Sequence, residues 1–135
     1  FLEDRREHVR EVIAPALERG EVVVTDRYFL STAAYQGARG LDPEAILARN
    51  ESLFPLPDVV VLIDLSAGAA LRRVEQRAGI RNRAYEQEDF LDRVADNFRG
   101  FDRDYIRVVD GEAEPDDVHR AVRGVLGDFF DRAGC

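Results

Sequence analysis

Apolar and polar positions follow two rhythms along this chain. Leu2, Val9, Val12, Ile13, Ala16 and Leu17 punctuate a highly charged segment, and the later ones keep the i, i+3, i+4 spacing of an amphipathic helix. This predicts a helix over 2–19, bent or weakened at Pro15, with Gly20 as its C-cap. VVVT at 22–25 is a β-branched run and predicts a buried strand. Residues 31–38 predict a helix. Asp42-Pro43-Glu44 opens another, with Asp as N-cap and Pro at the first helical position, running to about Phe54. Pro55 and Pro57 mark a connector.

DVVVLIDL at 58–65 is the clearest strand, continuously apolar and flanked by acids. A run apolar on both faces fits a parallel sheet covered by helices. Ser66 is placed to cap a helix over 67–78, and 79–86, GIRNRAYE, is an arginine-rich loop. Phe90, Leu91, Val94, Phe98 and Phe101 restore helical spacing over 87–101. YIRVVD at 105–110 is a third strand, and a last helix starts near Pro115. Strands alternating with helices predict an α/β fold with a parallel sheet, in one domain over residues 1–135. Ligands of such sheets bind beyond the carboxyl ends of the strands. Asp26 and Arg27 are therefore expected at the end of the first strand, at the mouth of the sheet, with Asp64 near the end of the second and Asp110 ending the third.

Composition narrows the class. A chain of 135 residues buries roughly two-thirds of its unfolded surface, enough for a real core. No apolar run approaches the roughly 20 residues of a membrane span, and the charged first residues are unlike a signal peptide. The lone cysteine, Cys135, excludes an internal disulfide and fits a reducing compartment, so a cytoplasmic protein is expected. A net charge of -8 argues against wrapping nucleic acid but not against a local phosphate pocket. Every one of the 19 basic residues is Arg, with no Lys and no Met. The sequence is thus expected to be processed or a fragment.

Three stretches carry candidate chemistry. Arg27 can offer a phosphate a fixed fork of donors, and Asp26 can orient it or hold a water of a magnesium ion. The same pair also reads as a strand-end ion pair that fixes a turn. Tyr35 and Gln36 follow on the next helix; the amide suits a nucleobase edge, or an ordinary helix surface. Arg81 and Arg83 sit on a loop that can close over a phosphoryl group, or is simply solvated. His8 and His119 read as surface residues, and neither metal-ligand spacing nor a Ser/His/Asp arrangement is evident.

DRYFLSTAAYQG at 26–37 closely resembles the signature of thymidylate kinases. FLEDRREHVREVIAPALERGEVVV resembles the helix before that signature, PDVVVLIDLSAGAALRR the strand and helix after it, RAYEQEDFLDRV the lid and post-lid helix, and VVDGEAEPDDVHRAV the final strand and helix. The resemblance implies a P-loop nucleoside monophosphate kinase-like fold that phosphorylates dTMP to dTDP with ATP and Mg2+, in dTTP synthesis. It implies that Phe1 stacks on thymine, Arg5 donates to a base carbonyl, Arg27 holds the 5′-phosphate, Gln36 reads the base edge and Tyr35 packs near the deoxyribose. Ser31 would line the same pocket. Asp26 would arrange magnesium through water. The lid over 79–86, with Arg81 and Arg83, would supply catalytic charge as in the bacterial type.

The family's amino-terminal strand and G-x-x-x-x-G-K-[ST] phosphate loop do not occur in these residues. A carboxyl-terminal portion keeping the dTMP-binding half is therefore expected. The resemblance also implies a homodimer, with Val9, Val12, Ile13 and Leu17 as possible contributors. Two alternatives stand beside this reading: a kinase for another nucleoside monophosphate or deoxynucleoside, and a non-catalytic remnant serving as a binding or dimerisation module.

Overall fold

Pro15 shapes the first helix of the structure, a computed structural model that describes residues 2–78 and 85–134. The helix begins as α1 (Leu2–His8), widens into a π turn over Val9–Ile13 and resumes as α2 (Ala14–Glu18). Proline has no N–H to give the carbonyl one turn back, and its ring crowds that carbonyl. The ladder slips upstream of it, and the Ala14 N–H reaches Val9 instead. The expected bend at Pro15 is thus taken up as a wider turn before it. Gly20, at φ +75°, closes the helix: its N–H bonds the Leu17 carbonyl at 2.9 Å and the Glu21 N–H bonds Ala16 at 3.0 Å.

The chain's contacts group into two compact units, Phe1–Leu56 and Pro57–Cys135. In the first, α3 (Phe29–Ala38) packs on α4 (Pro43–Leu53). Phe29, Leu30, Ala33, Ala34 and Ala38 form one buried face of α3, and the alanines let Leu47 of α4 come close. Asp42 caps α4 as expected, its carboxylate accepting from the Glu44 and Ala45 N–H groups. Ile13 and Ala16 join this core, whereas Val12 and Leu17 remain exposed.

The strand expected at 22–25 is not formed. These residues have no regular secondary structure, and Val22 and Val24 are 70% and 88% exposed. A β-branched run favours extended backbone, but a strand needs a neighbour's N–H and C=O groups. Among the described residues, none pairs here. Asp26 and Arg27 therefore lie on a bend that leads into α3, not at the carboxyl end of a strand.

The second unit is a small parallel α/β arrangement. β1 (Val60–Asp64) pairs in parallel with β2 (Ile106–Asp110), Val60 opposite Ile106 and Asp64 opposite Asp110. Between them run α5 (Ala67–Ala78) and α6 (Tyr85–Gly100), packed together, and α7 (Pro115–Ala133) follows and packs on β2. Ser66 caps α5 as expected, its hydroxyl accepting from the Ala69 N–H at 3.2 Å. α6 starts inside the expected 79–86 loop, at Tyr85, whereas 79–84 lie outside the described residues. The strands are not buried on both faces as their sequence suggests. Val109 is buried, but Ile63 is 47% exposed and Val108 63%, because a two-stranded sheet is too narrow to be covered throughout. At the strand ends, Gly111 is required: a Cβ there would lie 2.8 Å from the Asp64 carbonyl oxygen.

Candidate nucleotide-binding site

The first unit contains a cavity of about 500 Å3 lined by Asp4, Arg5, His8, Val24, Thr25, Asp26, Arg27 and Tyr28. Its size is within the range of small-molecule pockets. α1 contributes the first three residues, and the bend before α3 contributes the rest.

Arg27 stands on that bend at φ +64°, the one non-glycine at positive φ among the described residues. Such a conformation costs roughly 1–2 kcal/mol and marks a backbone held by its surroundings. The anchor follows directly: Tyr28 and Phe29 stack with centroids 4.5 Å apart, and Phe29 is fully buried. The exposed Arg27 guanidinium lies over the Tyr35 ring, 5.3 Å from its centroid, and makes a long 3.4 Å hydrogen bond to the Tyr35 hydroxyl. Tyr35 is two turns into α3, so the bend and the helix form one platform.

Arg5 is held differently. One terminal nitrogen donates to Asn50 Oδ1 at 2.9 Å and the other to Thr32 Oγ1 at 2.8 Å. Its guanidinium carbon lies 5.5 Å from the Tyr28 ring centroid and 5.7 Å from that of Phe54. Burial pushes the Arg5 pKa down from its ordinary value, partly offset by attraction to Tyr28. Burial likewise raises the Tyr28 pKa, with Arg5 opposing. The Tyr28 hydroxyl is buried and has no hydrogen-bond partner among the described residues. A buried unpaired donor costs about 1–3 kcal/mol, so Tyr28→Phe should leave stability unchanged or raise it by about 1 kcal/mol. A thermal melt of this variant checks it; a marked loss would mean that the hydroxyl is satisfied in solution.

Of the residues singled out in the sequence, Arg5, Asp26 and Arg27 share this cavity, and Tyr35 joins through Arg27. Ser31 and Gln36 are half-buried on α3 and do not line it. Gln36 lies one turn beyond Thr32, on the side of α3 that meets Arg5. Phe1, Arg81 and Arg83 lie outside the described residues. Sequence reasoning missed Thr32, Asn50 and the cavity position of His8. Among the described residues, no group of three or more His, Cys, Asp or Glu is arranged to hold a metal ion, and no helix is long and apolar enough to cross a membrane.

The acids at the strand ends of the second unit serve the fold. Asp64 receives the Arg99 Nε at 3.0 and 3.1 Å, and this hydrogen bonding raises the Arg99 pKa. Asp110 accepts the Glu112 N–H at 2.9 Å, and Glu112 in turn accepts the Ser66 N–H at 3.0 Å. These bonds tie the loop after β2 to the loop after β1.

Comparison with known proteins adds to this geometry. The family model for thymidylate kinase matches residues 1–122. A thymidylate kinase of Akkermansia muciniphila is 46% identical over 130 residues, covering 96% of this chain and 62% of its own length. One from Desulfotalea psychrophila is 41% identical, covering 90% and 60%, and one from Xanthomonas campestris is 43% identical, covering 93% and 55%. The chain thus spans 55–62% of the length of these curated relatives.

Proposed function

This chain belongs to the thymidylate kinase family, and from that premise we propose that it carries the dTMP site of a dTMP kinase. The reaction transfers the γ-phosphoryl group of ATP to dTMP, giving dTDP for dTTP synthesis, in a P-loop kinase-like fold. The observation that carries this reading is the pair of arginines, Arg5 and Arg27, lining one cavity. A nucleotide presents a base and a phosphate separated by a sugar, so it needs two cationic or polar contacts set apart. Arg5, clamped and half-buried, suits a base carbonyl. Arg27, exposed and stacked on an aromatic ring, suits a phosphate.

Tyr35 under Arg27 borders the sugar, Phe1 stacks on the base, and Ser31 and Gln36, outside the cavity lining, would reach the nucleotide from α3. Arg81 and Arg83 neutralise phosphoryl charge during transfer. A dTMP phosphate oxygen attacks the γ-phosphorus in line and ADP leaves, so the protein's work is positioning and charge neutralisation. Asp26 is an exposed carboxylate at the cavity, and Mg2+ is held by one or two carboxylates with retained waters and substrate phosphates. Asp26 therefore fits Mg2+ through water; the ion would neutralise phosphate charge. Val12 and Leu17, exposed on the first helix, would contribute to a homodimer.

Titration calorimetry tests the acceptor reading, with dTMP against dUMP, the ribose analogue of TMP and dGMP. The expected order places dTMP first, with dGMP at least about tenfold weaker. Equal affinities would favour another nucleotide kinase, and no binding by a folded chain would favour a remnant.

A further inference from the structure

Asn50 is 2% exposed, the one buried polar residue among those described, and it sits within α4 at a position where asparagine is a poor helix former. Its two amide ends have different partners. The Nδ2 group donates to the Ile46 carbonyl at 2.8 Å, and Oδ1 accepts from Arg5 at 2.9 Å. Chemistry permits only this orientation: a guanidinium has donors and no acceptor, and a backbone carbonyl only accepts. The amide is therefore locked by its own helix and presents an oxygen to Arg5. Thr32 holds the other terminal nitrogen, and the Tyr28 and Phe54 rings lie near the guanidinium.

We infer that Asn50 is a positioning residue that fixes the plane of the Arg5 guanidinium for the nucleotide base. This rests on the proposed role of Arg5 as the base contact. Among the described residues, the groups that bond Arg5 are neutral, which distinguishes this clamp from a salt bridge. A carboxylate would hold Arg5 equally well but cancel its charge; an amide and a hydroxyl hold it and leave that charge for the ligand. Fixing the fork before binding removes an ordering cost that would otherwise be met when the nucleotide arrives.

The test is a double-mutant cycle on dTMP affinity, by calorimetry, in the full-length encoded chain. Asn50→Leu replaces the amide with an apolar group of similar size and should weaken dTMP binding about tenfold. In the Arg5→Ala background the same change should have no further effect. Affinity for deoxyribose 5-phosphate, which has no base, should be unchanged by Asn50→Leu, whereas general loosening of the site would weaken both ligands alike. Asn50→Ala removes the same acceptor without adding bulk and should also weaken dTMP binding about tenfold. If Asn50→Leu does not fold, this second variant decides, and wild-type affinity in it overturns the inference. Additive losses in the cycle, or equal weakening of the baseless ligand, overturn the positioning role while leaving the dTMP reading intact. A wild-type chain that does not bind dTMP overturns both.

Discussion

Replacing Arg27 with Ala should weaken dTMP binding by about 100-fold while leaving the fold as stable as before. Charge-assisted hydrogen bonds are worth about 1.5–3 kcal/mol each, and a fork that makes two of them to a phosphate accounts for that factor. The structural cost is small because the side chain is exposed and rests on Tyr35 through a ring contact and one long hydrogen bond. The backbone makes Ala the right comparison. Arg27 sits at φ +64°, where any Cβ is strained, so Ala inherits the strain and only the guanidinium is lost. Arg27→Gly relieves roughly 1 kcal/mol of strain but adds a similar freedom to the unfolded chain, and should lose binding equally. Arg27→Lys keeps the charge without the fork and should fall between, roughly tenfold down. Calorimetry and thermal melts on the same samples separate affinity from stability. Wild-type affinity in Arg27→Ala would mean that the phosphate is held elsewhere.

Phe29→Ala should have the largest effect on stability. Phe29 is 0% exposed, opens α3 and stacks against Tyr28. Truncating a buried phenylalanine costs about 3–5 kcal/mol, through lost transfer free energy and the cavity left behind. That is a large part of the 5–15 kcal/mol typical of a folded domain. In urea the midpoint should fall sharply at an unchanged slope. The effect should reach the site, because Phe29 anchors the backbone just after the Arg27 bend, and dTMP affinity should fall even among molecules that remain folded. A loss below about 1 kcal/mol would mean that the α3–α4 core is held elsewhere.

How much of this was legible beforehand depended on how far each signal reaches along the chain. Asp42 as a cap and Gly20 as a helix end are local statements, answered by neighbours within a turn, and both hold. β1 was legible from a continuous apolar run, and β2 from Ile106, Val108 and Val109 around Arg107. VVVT is wholly β-branched, yet pairs with no strand among the described residues, because propensity describes a backbone preference and pairing requires a partner. At the cavity, Asp26 and Arg27 stood out beside an apolar run, whereas Arg5 acquired a role only through the family resemblance. Asn50 carried no signal. An asparagine inside a polar helix looks like any surface residue until the fold brings Arg5 to it from 45 positions away.

The π turn at Val9–Ile13 acts as a gear between two stretches of helix. An α-helix advances about 100° per residue, so one extra residue in a turn rotates everything before it by about that angle. Arg5 lies before the turn, and Ile13 and Ala16, which seat the helix in the core, lie in it and after it. Without the widening, the same core contacts would swing Arg5 away from Asn50 and Thr32. The azimuth of the Arg5 side chain is thus set by Pro15, a residue that does not line the cavity.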